Sequence, residues 1–170
     1  MVWGRRSRLL WLLAIVPLIG ASPVVAGAQS SGKAGATTSV KVFLVAIGDK
    51  GKAGPWIGCG DSLVAVTKKI APTKAPLTAA LRLTIGNHQQ FLGQSGLYNA
   101  LYQARLTLNK ATVSKGTATI HLSGKLRLGG VCDAPRVRAQ LRHVALQFHT
   151  VDRVYVYVNG VPLSKAVSSK

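Results

Sequence analysis

Apolar and β-branched side chains run almost unbroken from Val40 to Ile47, and Gly48-Asp49 follows as a stop; the pattern predicts a buried strand. Asp49–Gly60 is rich in glycine and carries Pro55, so it reads as a loop. Ser62–Ile70, with Leu63, Val64 and Val66, predicts a second strand. Pro72 and Pro76 then break the chain. Pro76 suits a first helical turn, where its missing N–H would have no partner, and Leu77, Leu81 and Ile85 share one face of the helix it opens. Gly86-Asn87 is the expected stop. His88–Gln103 is polar with Phe91, Leu92, Leu97, Tyr98, Leu101 and Tyr102 interspersed, and predicts a loop with a helical turn over Leu97–Gln103.

Arg105–Ser114 and Thr117–Ser123 flank Lys115-Gly116 and predict a hairpin, with Ala118, Ile120 and Leu122 on one side and Thr119 and His121 on the other. After a glycine-rich stretch, Asp133-Ala134-Pro135 opens a second helix, with Asp133 placed to cap its positive end. Val137, Leu141, Val144, Ala145 and Phe148 form the apolar stripe of this helix, which assigns Arg136, Arg138, Gln140, Arg142 and Gln147 to solvent. Val151–Val158 is the last predicted strand, with Val154, Val156 and Val158 opposite Arg153, Tyr155 and Tyr157. Asn159-Gly160 and Pro162 end it, and 164–170 reads as a loose tail. The order β-β-α-β-β-α-β predicts an α+β domain in which two helices cover one face of a mostly antiparallel sheet.

At 170 residues and 48% hydrophobic composition, the chain suits one domain with a real core. Arg5, Arg6 and Arg8 precede the apolar Leu9–Ile19 and the small-x-small Ala26-Gly27-Ala28, the layout of a signal peptide over 1–28. The alternative is an uncleaved membrane tether, since Leu9–Ala28 is almost long enough to span a bilayer. Residues 29–39, rich in Ser, Gly, Ala and Thr, form the expected flexible linker to a domain over 40–163.

Charge changes the picture most. There are 22 Lys+Arg against 4 Asp+Glu. The acids are Asp49, Asp61, Asp133 and Asp152, with no glutamate. Such a balance attracts polyanions, so nucleic acid, anionic lipid and anionic cell-wall polymer are candidate partners, beside a bland reading as environmental adaptation. The acids are too few and too scattered for a glycosidase pair. His88, His121, His143 and His149 make no ligand pair at helical spacing, Gly129-Gly130 does not follow a phosphate-loop pattern, and Gly-x-Ser-x-Gly is absent from the sequence. Neither a metal nor a cofactor is expected. Cys59 and Cys132, an even count in an exported chain, predict a disulfide ahead of the metal-pair and redox-pair alternatives.

Several stretches together resemble one family: Val40–Leu44, Gly58-Cys59-Gly60-Asp61-Ser62-Leu63-Val64, Ala75–Leu81, Ser95-Gly96-Leu97-Tyr98, Gly116–Gly124, Gly130–Arg136, and Gln147-Phe148 through Asn159-Gly160. Over 40–163 the chain is similar to GerMN (spore-germination GerM-type) domains, in particular to a secreted single-domain branch with paired cysteines. The resemblance implies a ring-building-motif-like α/β fold and a non-enzymatic extracytoplasmic interaction or scaffold role in the cell envelope, linked to sporulation or germination, with no catalytic residue to carry over. An envelope protein or self-association is the implied partner; a polyanion-binding module is the alternative. The candidate surface combines Arg136, Arg138 and Arg142 on the second helix with Arg153, Tyr155 and Tyr157 on the last strand, against a plain reading as a solvated helix face and ordinary strand tyrosines.

Overall fold

In the computed structural model, which describes residues 37–168, the apolar run at Val40 forms β1 (Thr38–Ala46). It pairs antiparallel with β3 (Asp61–Ile70) in unbroken register from Thr38↔Ile70 to Ala46↔Ser62. The expected loop between them contains a short strand, β2 (Trp56–Gly58), which adds to the other side of β3. Helix α1 (Pro76–Gly86) begins at the proline and buries Leu77, Leu81 and Ile85. The turn expected over Leu97–Gln103 forms in its second half, where Tyr102 N donates to the Asn99 carbonyl at 3.2 Å and Ala104 N to the Leu101 carbonyl at 2.9 Å. Tyr98 is extended and pairs with Val45, and a 3-10 turn at Gly93–Ser95 precedes it.

The hairpin of β4 (Arg105–Ser114) and β5 (Thr117–Lys125) forms as expected. Lys115-Gly116, Cys59-Gly60 and Asn159-Gly160 all take positive φ at both residues, the geometry that matches a two-residue turn to the twist of its strands. Helix α2 (Asp133–Leu146) is the crossover from β5 to β6 (Arg153–Val158), which pairs parallel to β5. A short β7 (Val161–Pro162) returns along β6 and leads into α3 (Leu163–Ala166).

The α+β class and the order of the long elements are as the periodicity predicts. The strands, however, form two sheets, β1-β3-β2 and β4-β5-β6-β7, where a single sheet was the simplest expectation. The reason lies at the outer edge of β1. Gln147 accepts from the Lys41 amide at 2.7 Å and donates to the Lys41 carbonyl at 2.9 Å. Gln140 donates to the Phe43 carbonyl at 2.7 Å, and the Tyr98 backbone exchanges two 2.8 Å bonds with Val45. Side-chain amides thus occupy the edge that a strand of the second sheet would need. Gln140 and Gln147, assigned to solvent by the polar pattern, therefore face inward, and Gln140 is fully buried. Helices α1 and α2 pack on each other and on strands of both sheets, so one core serves the domain.

The tail expected from 164 is ordered in α3, where Val167 donates to the Leu163 carbonyl and both side chains enter the core. Gly35–Lys170 is one compact unit, and the described core is drawn from Val40 through Val167. The signal and most of the linker expected over 1–36 lie outside the described residues.

A buried polar cluster ties α2 to the first sheet. Cys59 and Cys132 are bonded, with a Cα–Cα distance of 5.9 Å. Beside them Asp61, fully buried, accepts from the Gly48 amide at 2.9 Å and from Arg136 Nε at 2.7 Å. Asp133, 1% exposed, accepts from Gly129 N at 2.7 Å, from the Tyr98 hydroxyl at 3.0 Å and from Arg136 Nη1 at 3.1 Å. The Arg136 guanidinium also lies over the Tyr98 ring at 5.2 Å. Burial opposes the charge on Arg136, but its hydrogen bonds to Asp61 and then Asp133 outweigh this and raise its pKa. Burial, followed by the bond to Asp133, likewise pushes the Tyr98 phenol well above its ordinary range.

Asp133 does not cap the helix as expected. It is the first residue of α2, Cys132 holds the cap position without a side-chain hydrogen bond, and the carboxylate turns toward Gly129, Tyr98 and Arg136. A charged donor and a phenol in reach outcompete the helix amides.

Two stability effects are expected. Replacing Arg136 with Met leaves two buried carboxylates short of their cation and is expected to cost about 3–5 kcal/mol in urea unfolding; a loss under about 1 kcal/mol would refute the role assigned to the cluster. The Cys59–Cys132 bond spans 73 residues of sequence. By chain entropy its reduction is expected to remove about 4 kcal/mol, read as a fall in urea midpoint on adding reductant, and an unmoved midpoint would refute this.

Candidate interaction surface

Period-two alternation along β6 turns Val154, Val156 and Val158 toward the helices and puts Arg153, Tyr155 and Tyr157 on the opposite face. There the register sets them beside the polar side of β5, as Thr117↔Arg153, Thr119↔Tyr155 and His121↔Tyr157. The His121 and Tyr157 rings stack at 5.1 Å and 11°, and Arg153 Nε reaches Thr117 Oγ1 at 3.3 Å. Tyr155 has no such partner ring and remains 54% exposed. Among the described residues no helix covers this sheet face, since α2 packs on the valine face.

Among the described residues, nothing pairs with the outer edge of β6 over most of its length. Arg153 and Asn159 donate to Gly116 and Leu122 on the β5 side, so the alternate residues Val154 and Val156 direct their backbone groups the other way. β7 pairs only with Tyr157 and Val158. Beside this edge lies a cleft of about 430 Å³ between α2, β6 and the start of α3. Arg138 and Arg142, both exposed and one turn apart, form its basic wall. Val154 through Tyr157 form its floor, and Pro162, Leu163 and Ser164 close one end.

Of the six residues proposed for this surface, the structure brings Arg138, Arg142, Tyr155 and Tyr157 to the cleft. Arg153 lies on the adjoining open face. Arg136 does not belong to the surface: its side chain is only 13% exposed and points at Asp61 and Asp133. The helical period explains this, since Arg138 and Arg142 are one turn apart, whereas Arg136 lies well around the helix from both. Of the four histidines, His88 and His149 are exposed, whereas His121 stacks on Tyr157 and His143 packs at 5.7 Å from Phe43. Among the described residues no group of three or more His, Cys, Asp or Glu could hold a metal ion, and no helix is long and apolar enough to cross a membrane. The cleft itself was missed by sequence reasoning. Pro162, which cannot donate to a ladder and ends β7 after two residues, was the sequence signal that little of the β6 edge would be covered there.

The fold and this surface define a small disulfide-stapled α+β domain that presents a sheet edge and a basic helix face. Residues 51–164 match the Germane family, described as sporulation and spore germination, and the chain belongs to that family. The tandem GerMN domains of the sporulation protein GerM from Bacillus subtilis share the fold, with a TM-score of 0.53 at 21% identity over 74% of this chain. The first GerMN domain of the same protein aligns with a TM-score of 0.48 at 19% identity, over 74% of this chain and 85% of that one. This chain spans 40% of the length of the tandem-domain structure. No curated protein sequence matches it.

The separation of roles within α2 has a measurable consequence. Because Arg138 and Arg142 are exposed, Arg138→Glu with Arg142→Glu is expected to shift stability by no more than about 0.5 kcal/mol per site, in contrast to Arg136. A loss as large as that of Arg136→Met would mean that these arginines hold the fold.

Proposed function

We propose that the chain is a non-enzymatic interaction domain of the cell envelope, acting outside the cytoplasm in sporulation or germination, and that it binds an extended segment of a partner protein along β6. The observation that carries this reading is the open β6 edge facing two arginines across an apolar floor. An added strand would exchange hydrogen bonds with the backbone of Val154 and Val156. Carboxylates on that segment would reach Arg138 and Arg142 bidentately, and Tyr155 and Tyr157 would supply rigid contact area. The disulfide supports an oxidising compartment, and the basic-then-apolar N-terminus supports export.

A second reading has its own observation. With 22 basic against 4 acidic residues, and two of the four acids buried against Arg136, the surface suits an anionic cell-wall polymer. One experiment separates the two. A photo-crosslinking residue at Tyr155, used in native cells, is expected to capture a protein whose retention survives high salt and is lost in Arg138→Glu/Arg142→Glu. Capture of polymer alone, with binding that falls steeply with ionic strength, would favour the second reading. Undiminished partner retention by Tyr155→Ala/Tyr157→Ala would rule out this surface.

A further inference from the structure

The β2–β3 end of the domain carries a second feature that the β6 cleft leaves unused. Ile47 is 52% exposed, Trp56 70% and Val131 91%. Ile47 and Trp56 bracket one loop, and Val131, distant in sequence, shares this end. Ala46 and Trp56 pair with Ser62 from opposite sides of β3, which places Ile47 and Trp56 there. Val131 precedes Cys132, whose disulfide to Cys59 closes the β2–β3 turn.

The loop that displays Ile47 and Trp56 is firmly held. Gly48 N donates to Asp61, Gly51 N to Ser62 Oγ at 2.9 Å, Lys50 N to the Gly60 carbonyl at 2.8 Å, and Leu63 N to the Pro55 carbonyl at 2.9 Å. Asp49 accepts from Ser62 Oγ and Ala53 N, which lower its pKa and hold it ionised. A side chain at Gly54 would collide with the Leu63 carbonyl, so the chain there runs tight against β3. Ile47 and Trp56 are therefore exposed on an ordered scaffold, and little ordering would accompany their burial.

The same loop exposes Lys50 and Lys52. The nearby carboxylates are already engaged, Asp49 within the loop and Asp61 with Arg136. An indole and an aliphatic side chain beside two exposed lysines, of which Lys52 has the Asp49 carboxylate within electrostatic reach, match the layered chemistry of a bilayer surface, where tryptophan sits at headgroup depth and cations meet anionic lipid. A protein partner would have to supply both an apolar seat and carboxylates; an anionic bilayer supplies both at once.

We propose that this end, through Trp56, Ile47 and Val131 with Lys50 and Lys52, docks the domain on an anionic lipid bilayer. The test uses the chain from Gln29, which keeps the whole compact unit and in which Trp56 is the sole tryptophan. Vesicles of equal parts phosphatidylcholine and phosphatidylglycerol are expected to sediment the protein and to shift Trp56 emission to the blue. Brominated acyl chains should quench that emission, and phosphatidylcholine vesicles should do none of this. Trp56→Ala is expected to weaken partitioning about tenfold or more. Lys50→Glu/Lys52→Glu should abolish it, while the charge-matched Lys68→Glu/Lys69→Glu, at the far end of β3, should largely retain it, with thermal melts confirming that every variant is folded. Failure to sediment at low ionic strength, sedimentation without a Trp56 shift, or equal losses in both lysine pairs would overturn the proposal. The last outcome would mean diffuse attraction only, and the first would leave this end to a protein partner.

Discussion

The structure hangs on one arginine held between two buried carboxylates. Arg136 reaches Asp61 at the start of β3 and Asp133 at the start of α2, alongside the disulfide that joins the same two segments. Each element of the cluster requires the others. The carboxylates are affordable in the interior only with the guanidinium and the amides of Gly48 and Gly129 as donors. The guanidinium in turn rests on Tyr98, whose backbone pairs with β1. This arrangement fixes the N-terminus of α2. Because α2 is the crossover between the parallel strands β5 and β6, it also sets where Arg138 and Arg142 stand relative to the β6 edge.

The two sheets treat their edges differently. β1 would expose a long apolar strand, yet Gln140, Gln147 and Tyr98 occupy its hydrogen-bonding groups. Among the described residues, β6 receives only two residues of β7 along this edge. Exposed strand edges invite pairing and proteins ordinarily blunt them. A domain that seals one edge with buried amides and leaves another beside a basic cleft has the asymmetry expected of a binding module.

Charge follows the same logic. Half of a very small complement of acids is spent inside the fold, so the exterior is more cationic than the composition alone conveys. On such a surface position matters more than total charge. Arg138 and Arg142 flank a groove beside a strand edge, whereas Lys50 and Lys52 lie in the loop between Ile47 and Trp56. The chain belongs to the Germane family, described as sporulation and spore germination, and these two surfaces are distinct places at which it can touch its surroundings.

Much of this was legible in the chain. Apolar periodicity located every long strand and both main helices, because burial of one face depends on nearest neighbours in sequence. The two cysteines and the Tyr155/Tyr157 stripe could likewise be read directly. What the sequence could not specify was which polar residues turn inward. Arg136 and Gln140 look like solvent positions on a helical wheel, and only the approach of Asp61 and Phe43 from distant segments makes their burial favourable. Asp133 looks like a cap for the same reason, until Tyr98 and Arg136 arrive to claim it. The division into two sheets, the open edge of β6 and the gathering of Ile47, Trp56 and Val131 at one end are also matters of long-range pairing. Local pattern encodes which face is apolar; the partner that face or edge meets exists only once the chain has folded.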